Sequence, residues 1–296
     1  EYFQAGGEAS LKFDIGIKKE INYKEVADKA AEADAIIFVG GLSPTLEGEE
    51  MPVDLPGFRK GDRTNIDLPH VQAEMLKALK KTGKPVIFVL CSGSTLALPW
   101  EAENLDAILE AWYPGQQGGT AVADVLFGDY NPAGRLPLTF YASSNDLPDF
   151  EDYDMSNRTY RYFKGKALFP FGHGLSYTSY EYSDAGTDSF VYSPGDKVKV
   201  SFSVKNTGTR DGDEISQVYV SQINPSSERP VKELKGFART SLKSGESKVV
   251  EVELPVDDWA FWDEQLGGWN LEKGRYDISI AAASDDIKYV VSVEIK

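Results

Sequence analysis

The chain has 296 residues, 41% of them hydrophobic, which is enough for two domains with cores of their own. Its formal net charge of −16 makes nucleic acid and anionic membrane surfaces poor electrostatic partners and leaves an uncharged substrate as the easier match. A single cysteine, Cys91, excludes an internal disulfide, and no run approaches the roughly 18 apolar residues of a membrane span.

The first residues carry neither a Met nor a signal-peptide pattern, and EYFQ reads as a strand already under way, so the chain is expected to be the C-terminal piece of something longer. Residues 1–17 alternate around Gly6-Gly7 in a way that suits a β-hairpin. KEVADKAAEADA, 24–35, has the pattern of an amphipathic helix. A buried strand rich in β-branched residues follows over 35–40 and ends in Gly40-Gly41. Such a strand delivers its loop to the edge of an α/β sheet, where ligands bind. The loop carries Glu47, Glu49, Glu50, Asp62 and Arg63, with Gly48 and Gly61 to supply its bends. It is longer than the roughly 12 to 15 residues that compact domains keep without a function for them.

Asp67-Leu68-Pro69 is a helix-start signal, and Leu68, Val71, Met75, Leu76 and Leu79 recur at helical spacing until Gly83. Lys84 to Leu90 reads as a second buried strand, which makes the adjacent Cys91 a structural thiol. A third strand is expected over Ala107–Trp112, and a short helix over Thr120–Phe127 closed by Gly128. Strand and helix in alternation predict an α/β layer with parallel strands over 18–145. From 146 to 185 the chain reads as an ordered connector, whose Tyr160, Tyr162, Phe163, Phe169 and Phe171 pin it to the domains on either side. Over 186–296, VKVSFSVKN, ISQVYVSQ, KVVEVELP and RYDISIAAA are separated by turn residues at the intervals of an all-β sandwich.

Several chemistries fail on the residues. Only His70 and His173 exist, and Ser92 and Ser94 lack the G-x-S-x-G elbow of a serine hydrolase. Gly40-Gly41 lacks the spacing of a dinucleotide site. RDGDE, 210–214, could suggest a calcium loop, but neither a metal nor another cofactor is expected. Trp100, Trp112 and Tyr113 could border a sugar subsite but read more readily as core aromatics, and none is assigned to a site.

In order along the chain, EAWYPGQQGGTAVADVLFGDYNPAGRLPLTF and YRYFKGKALFPFGHGLSYT resemble two C-terminal signatures of glycoside hydrolase family 3, the β-glucosidase and β-xylosidase group. VKNTGTRDGDEISQVYVS, RPVKELKGFARTSLKSGESKVV and WNLEKGRYDISI resemble that family's terminal fibronectin type III-like module. The resemblance implies an α/β-sandwich domain followed by an immunoglobulin/fibronectin type III-like sandwich. It also implies a missing N-terminal (β/α)8 barrel bearing the nucleophilic Asp. Residues 1–17 would then end an inserted β module.

The implied activity is retaining exo-hydrolysis of terminal β-linked sugars, on an oligosaccharide or aryl glycoside, by a periplasmic or secreted enzyme. SPTLEGEE followed by GDR looks more like the β-xylosidase side of the family. Retention needs two carboxyl groups roughly 5 to 5.5 Å apart, of which only the general acid/base would be here. A general acid must hold its proton near working pH, and neighbouring negative charge helps it do so. By its place in the loop before the Asp-Arg pair, Glu47 is the best match, with Glu49 the alternative and Glu50 less favoured; Asp62 and Arg63 are expected to order the loop. The chain alone would be inactive. A non-catalytic module that binds carbohydrate or braces the barrel is the other reading.

Overall fold

The computed structural model of the chain describes residues 21–48 and 50–296. The hairpin expected over 1–17 and the alternative acid Glu49 lie outside the described residues. Helix α1 (Tyr23–Ala30) starts where the Asn22 side chain accepts the Glu25 backbone N–H at 3.1 Å, which satisfies one of the unpaired donors of its first turn. It is shorter than the sequence pattern suggested, because Ala31 to Ala35 turn the chain into the first strand.

Strand β1 (Ile36–Gly41) is followed by three two-residue strands, β2 (Asp54–Leu55), β3 (Phe58–Arg59) and β4 (Asp62–Arg63), which pair into a small antiparallel sheet inside the long loop. Then come α2 (His70–Lys80), β5 (Val86–Cys91), α3 (Pro99–Asn104), β6 (Ala107–Glu110) and α4 (Gly118–Phe127). Gly128 closes α4 in the left-handed conformation, as its place in the sequence predicted. Strands β1, β5 and β6 form a parallel sheet in that order, with Phe38 level with Phe88 and Phe88 level with Ile108.

Val86, Phe88 and Leu90 alternate onto one face of this sheet and pack with Leu76 and Leu79 of α2, together with Leu42, Phe58, Leu68, Leu96 and Leu98. Each such buried side chain contributes roughly 1.5 to 3 kcal/mol. The reading of β1 as buried holds on that face alone. Ile37 and Val39, on the other face, are 45% and 51% exposed.

A short helix α5 (Thr159–Tyr162) lies in the aromatic connector. Beyond it run β7 (Tyr180–Thr187), β8 (Val191–Tyr192), β9 (Lys197–Asn206), β10 (Gly212–Gln222), β11 (Glu233–Leu242), β12 (Ser247–Pro255), β13 (Phe261–Asp263), β14 (Gly268–Asn270), β15 (Gly274–Ala281) and β16 (Ile287–Ile295). One sheet has the order β11-β10-β15-β16-β8 and the facing sheet β12-β9-β7, while β13 and β14 form a separate hairpin. Val198, Val200, Phe202 and Val204 of β9 point inward at every second residue and meet Val218, Val220, Ile278 and Ile280 from the other sheet. Strand β7 begins at Tyr180, inside the stretch read as connector; its polar, Gly-containing sequence YEYSDAGT hides a strand whose pairing with β9 is interrupted by a bulge.

The connector is held at both ends. Tyr160 stacks on Phe171 at 4.2 Å and meets Tyr219 of β10 edge-on at 5.8 Å, while Phe169 meets Phe140 at 6.1 Å and Phe163 meets Tyr141 at 5.0 Å. Arg135 adds a buried ion pair, its Nη2 donating to Glu214 Oε2 of β10 at 2.9 Å, with the Tyr182 hydroxyl donating to the other Glu214 oxygen at 2.7 Å.

Candidate active site

Three loops leave the C-terminal ends of β1, β5 and β6, and Glu47 sits where they meet. The loop after β1 is tied to the sheet by the Leu42 N–H, which donates to the Cys91 carbonyl at 2.7 Å. It then turns so that the Glu47 N–H donates to the Ser43 carbonyl at 3.0 Å. Farther along it is fastened to the turn between β3 and β4: the Gly48 N–H donates to the Gly61 carbonyl at 3.2 Å and the Met51 N–H to the Lys60 carbonyl at 2.8 Å. Gly61 has a φ of +87°, and a Cβ there would collide with the Gly48 carbonyl, so the turn requires glycine on both counts.

The Glu47 carboxylate receives one hydroxyl on each oxygen. Ser94 Oγ, from the loop after β5, donates to Oε1, and the Tyr113 hydroxyl, from the loop after β6, donates to Oε2 at 3.0 Å. Arg63 Nη1, at the end of β4, lies 3.8 Å from Oε1 and donates to Ser94 Oγ at 3.2 Å. Its Nη2 donates to the Asp67 carbonyl at 3.3 Å, and the guanidinium lies over the Phe58 ring. Burial lowers the Arg63 pKa, opposed by the negative charges of Glu47 and Asp67, but a guanidinium stays cationic through the working range. Burial, and then the Glu47 carboxylate, push the Tyr113 hydroxyl up to about 12, so it keeps its proton and serves as a donor.

Asp62 is exposed, and Arg63 turns away from it towards Glu47; the loop is ordered through the Glu47 and Ser94 contacts and not through an Asp62–Arg63 ion pair. Glu50 is also exposed, with a left-handed φ of 50° and Lys60 Nζ 3.8 Å from its carboxylate. The sequence did not single out Ser94 and Tyr113 as partners of Glu47. Their signal was positional: both follow parallel strands by a few residues at the C-terminal edge of the sheet, the edge that binds ligands in α/β folds.

Another acid lies behind the cluster. Glu110, the last residue of β6, accepts the Trp112 N–H on Oε1 at 2.9 Å, while Oε2 has no hydrogen-bond partner and no contact with solvent. Burial pushes its carboxyl up to about 7, against a small opposing effect of the Trp112 N–H. The Cys91 thiol is pushed up by burial and by Glu110 itself, which suits an inert sulfur. Away from this edge, His173 stacks on Phe169 and burial lowers its pKa, while His70 is exposed at the first position of α2. The acids of RDGDE are engaged locally, Asp213 with Arg239 and Glu214 with Arg135.

Comparison with known proteins places the chain in a family. Residues 5–177 match the model of the glycosyl hydrolase family 3 C-terminal domain, and residues 214–284 match that of the fibronectin type III-like domain. A xylan 1,4-β-xylosidase of Xylanibacter ruminicola is 48% identical over 94% of this chain and 32% of its own length. A periplasmic β-glucosidase of Salmonella typhimurium is 38% identical over 89% of this chain and 35% of its own. Among solved structures, the β-glucosidase of Kluyveromyces marxianus in complex with glucose superposes with a TM-score of 0.80 at 35% identity, over 93% of this chain and 33% of that one. The chain therefore spans about a third of the length of the relatives it matches.

Proposed function

The chain belongs to glycosyl hydrolase family 3, and from that membership we propose that it is the C-terminal part of a retaining exo-β-glycosidase that removes terminal non-reducing β-linked sugars. In this reading the chain supplies the general acid/base, a (β/α)8 barrel elsewhere in the protein supplies the nucleophile, and the chain alone is inactive. The names of the relatives support a glycosidase, and the 48% identity to a xylan 1,4-β-xylosidase favours xylosides over glucosides. A periplasmic relative supports a periplasmic or secreted enzyme. No helix among the described residues is long and apolar enough to cross a membrane.

The observation that carries the reading is the Glu47 carboxylate, gathered by Ser94, Arg63 and Tyr113 from three separate segments at the ligand-binding edge of the sheet. A side chain fixed in this way is positioned for proton transfer with little left to reorganise. Each of its oxygens accepts one hydroxyl and keeps a second lone-pair site, so the carboxyl can carry a proton while Ser94 and Tyr113 hold it in place. Glu49, two residues along, is the alternative donor.

The test uses the full-length enzyme on aryl β-xylosides and β-glucosides, comparing wild type with Glu47→Gln with and without azide. With Glu47 as the acid/base, Glu47→Gln loses turnover on poor leaving groups, azide restores turnover of activated substrates, and the faster wild-type substrate names the enzyme. Unimpaired Glu47→Gln turnover moves the assignment to Glu49.

The reading of the chain as a module that braces the catalytic barrel draws on the buried Arg135–Glu214–Tyr182 network, which fastens the sandwich to the α/β layer. It is compatible with the catalytic reading. Retention of this chain on insoluble xylan or cellulose would instead point to carbohydrate binding.

A further inference from the structure

Glu110 is a costly residue for the end of a buried strand. Among the described residues no cation pairs with it, and the neighbouring titratable group is the Cys91 thiol on β5, beside which β6 runs in parallel register. An amide or an apolar side chain would fill the space without desolvating a carboxyl. What the carboxyl does is hold a turn. Its Oε1 takes the N–H of Trp112, a bulky residue in the left-handed region at φ 54°, a conformation that costs of order 1 kcal/mol or more and persists only where the surroundings impose it.

The chain bends at the next residue, Tyr113, whose ring lies over Gly93, where a Cβ would come within 2.5 Å of it, and whose hydroxyl reaches Glu47. The Trp112 ring is anchored on the far side, edge-on to Phe140 at 6.5 Å.

We infer that Glu110 is a positioning residue of the glycosidase site: by holding the left-handed Trp112 turn it sets the Tyr113 hydroxyl against the acid loop at Glu47. The inference rests on the proposed glycosidase function, but not on which acid of that loop delivers the proton. If Glu110 only stabilised the end of β6, its loss would lower stability and leave the chemistry of the bound substrate untouched.

The experiment compares kcat/KM of the full-length enzyme on a phenyl glycoside, which needs a proton on its leaving group, and a dinitrophenyl glycoside, which does not. Glu110→Leu and Tyr113→Phe are each expected to slow the phenyl substrate by about 10-fold to 100-fold, the range for a displaced or unaided acid, and the dinitrophenyl substrate by about 3-fold or less. The Glu110→Leu/Tyr113→Phe double variant should be no slower than the slower single variant, because both act through one contact. Glu110→Gln, which keeps an oxygen for the Trp112 N–H, should recover most of the Glu110→Leu loss.

Equal slowing of both substrates, no slowing of either, or multiplying losses in the double variant would overturn the inference. Where Glu110→Leu fails to fold, Gly93→Ala displaces the Tyr113 ring without altering a carboxyl and is held to the same leaving-group criterion. Glu47→Gln run alongside separates the two readings. Normal phenyl turnover in that variant removes Glu47 as the acid, while the leaving-group selectivity of Tyr113→Phe and Glu110→Leu still decides whether they position the loop.

Discussion

Replacing Glu110 by Gln should change the stability of the chain in a pH-dependent way, and the slope can be worked out from its surroundings. Burial raises the carboxyl from its ordinary 4.5 to about 7, which corresponds to on the order of 3 kcal/mol of preference for the neutral acid in the folded state. Below about pH 4.5 folded and unfolded chains both hold the proton, and the site carries no ionic penalty. Between there and about pH 7 the unfolded chain releases its proton while the folded chain keeps it, so stability falls as pH rises, and the full penalty is reached above that window.

Gln does not titrate. Its amide nitrogen, placed where Glu110 Oε2 lacks a partner, would cost about 1 to 3 kcal/mol, but equally at every pH. The quantity to measure is therefore the change in the stability difference, Gln minus Glu, between about pH 4.5 and about pH 8, expected to grow in favour of Gln by up to about 3 kcal/mol. Paired thermal unfolding of the two chains at each pH reads it as a widening gap of several degrees. A gap that stays constant, or that widens towards acid, would refute the account of Glu110 as a buried, unpaired carboxyl.

Arg135→Met should leave Glu214 charged and 3% exposed with only the Tyr182 hydroxyl, and is expected to cost about 3 to 5 kcal/mol; replacing both partners with apolar residues should recover much of the loss, as equilibrium unfolding would show. Gly61→Ala meets both a positive φ and the Gly48 carbonyl, so in the full-length enzyme it should lower kcat by displacing the loop that carries Glu47, while the melting of the sandwich changes little. His173→Gln should make the chain less sensitive to acid: burial keeps the folded imidazole neutral below its ordinary 6.5, where the unfolded one charges, so wild-type stability falls as pH drops through that range and the variant's does not. Acid unfolding of the two chains side by side would check it.

What the sequence made legible follows from how local each signal is. The parallel strands and α2 were visible because Val86, Phe88 and Leu90, and Leu76 and Leu79, repeat with the period of the element that buries them. Gly128 marked the end of α4 because the left-handed cap there is a property of one residue. The strands β2, β3 and β4 were invisible, being two residues each and held by the long loop folding back on itself. Strand β7 was masked by YEYSDAGT, a sequence with turn residues where its pairing with β9 is bulged. At the site, Glu47 and Arg63 were legible as charges on a long loop. Ser94 and Tyr113 were not, because their relation to Glu47 spans 47 and 66 residues and exists only once three strand ends lie side by side. The face of β1 bearing Ile37 and Val39 shows the converse limit, since a β-branched run reports what a strand can bury and not whether the partner layer is present.

The same separation in sequence explains why the distant sandwich bears on the site. Trp112, whose turn aims Tyr113, meets Phe140; Phe140 meets Phe169; and the Phe140 N–H donates to the Phe169 carbonyl at 2.9 Å, so the turn rests on the connector. Two residues beyond Phe169, Phe171 stacks on Tyr160, which meets Tyr219 of β10 and whose hydroxyl accepts the Leu234 N–H of β11 at 3.0 Å. Each of these contacts is short-ranged, and aromatic pairs of this kind contribute about 0.5 to 1.5 kcal/mol beyond the area they bury. Together with the Arg135–Glu214 pair they leave the connector little freedom to shift relative to either layer. A sandwich that made no contact with substrate would still be selected with the enzyme, because loosening it would release the connector on which the Trp112 turn is built.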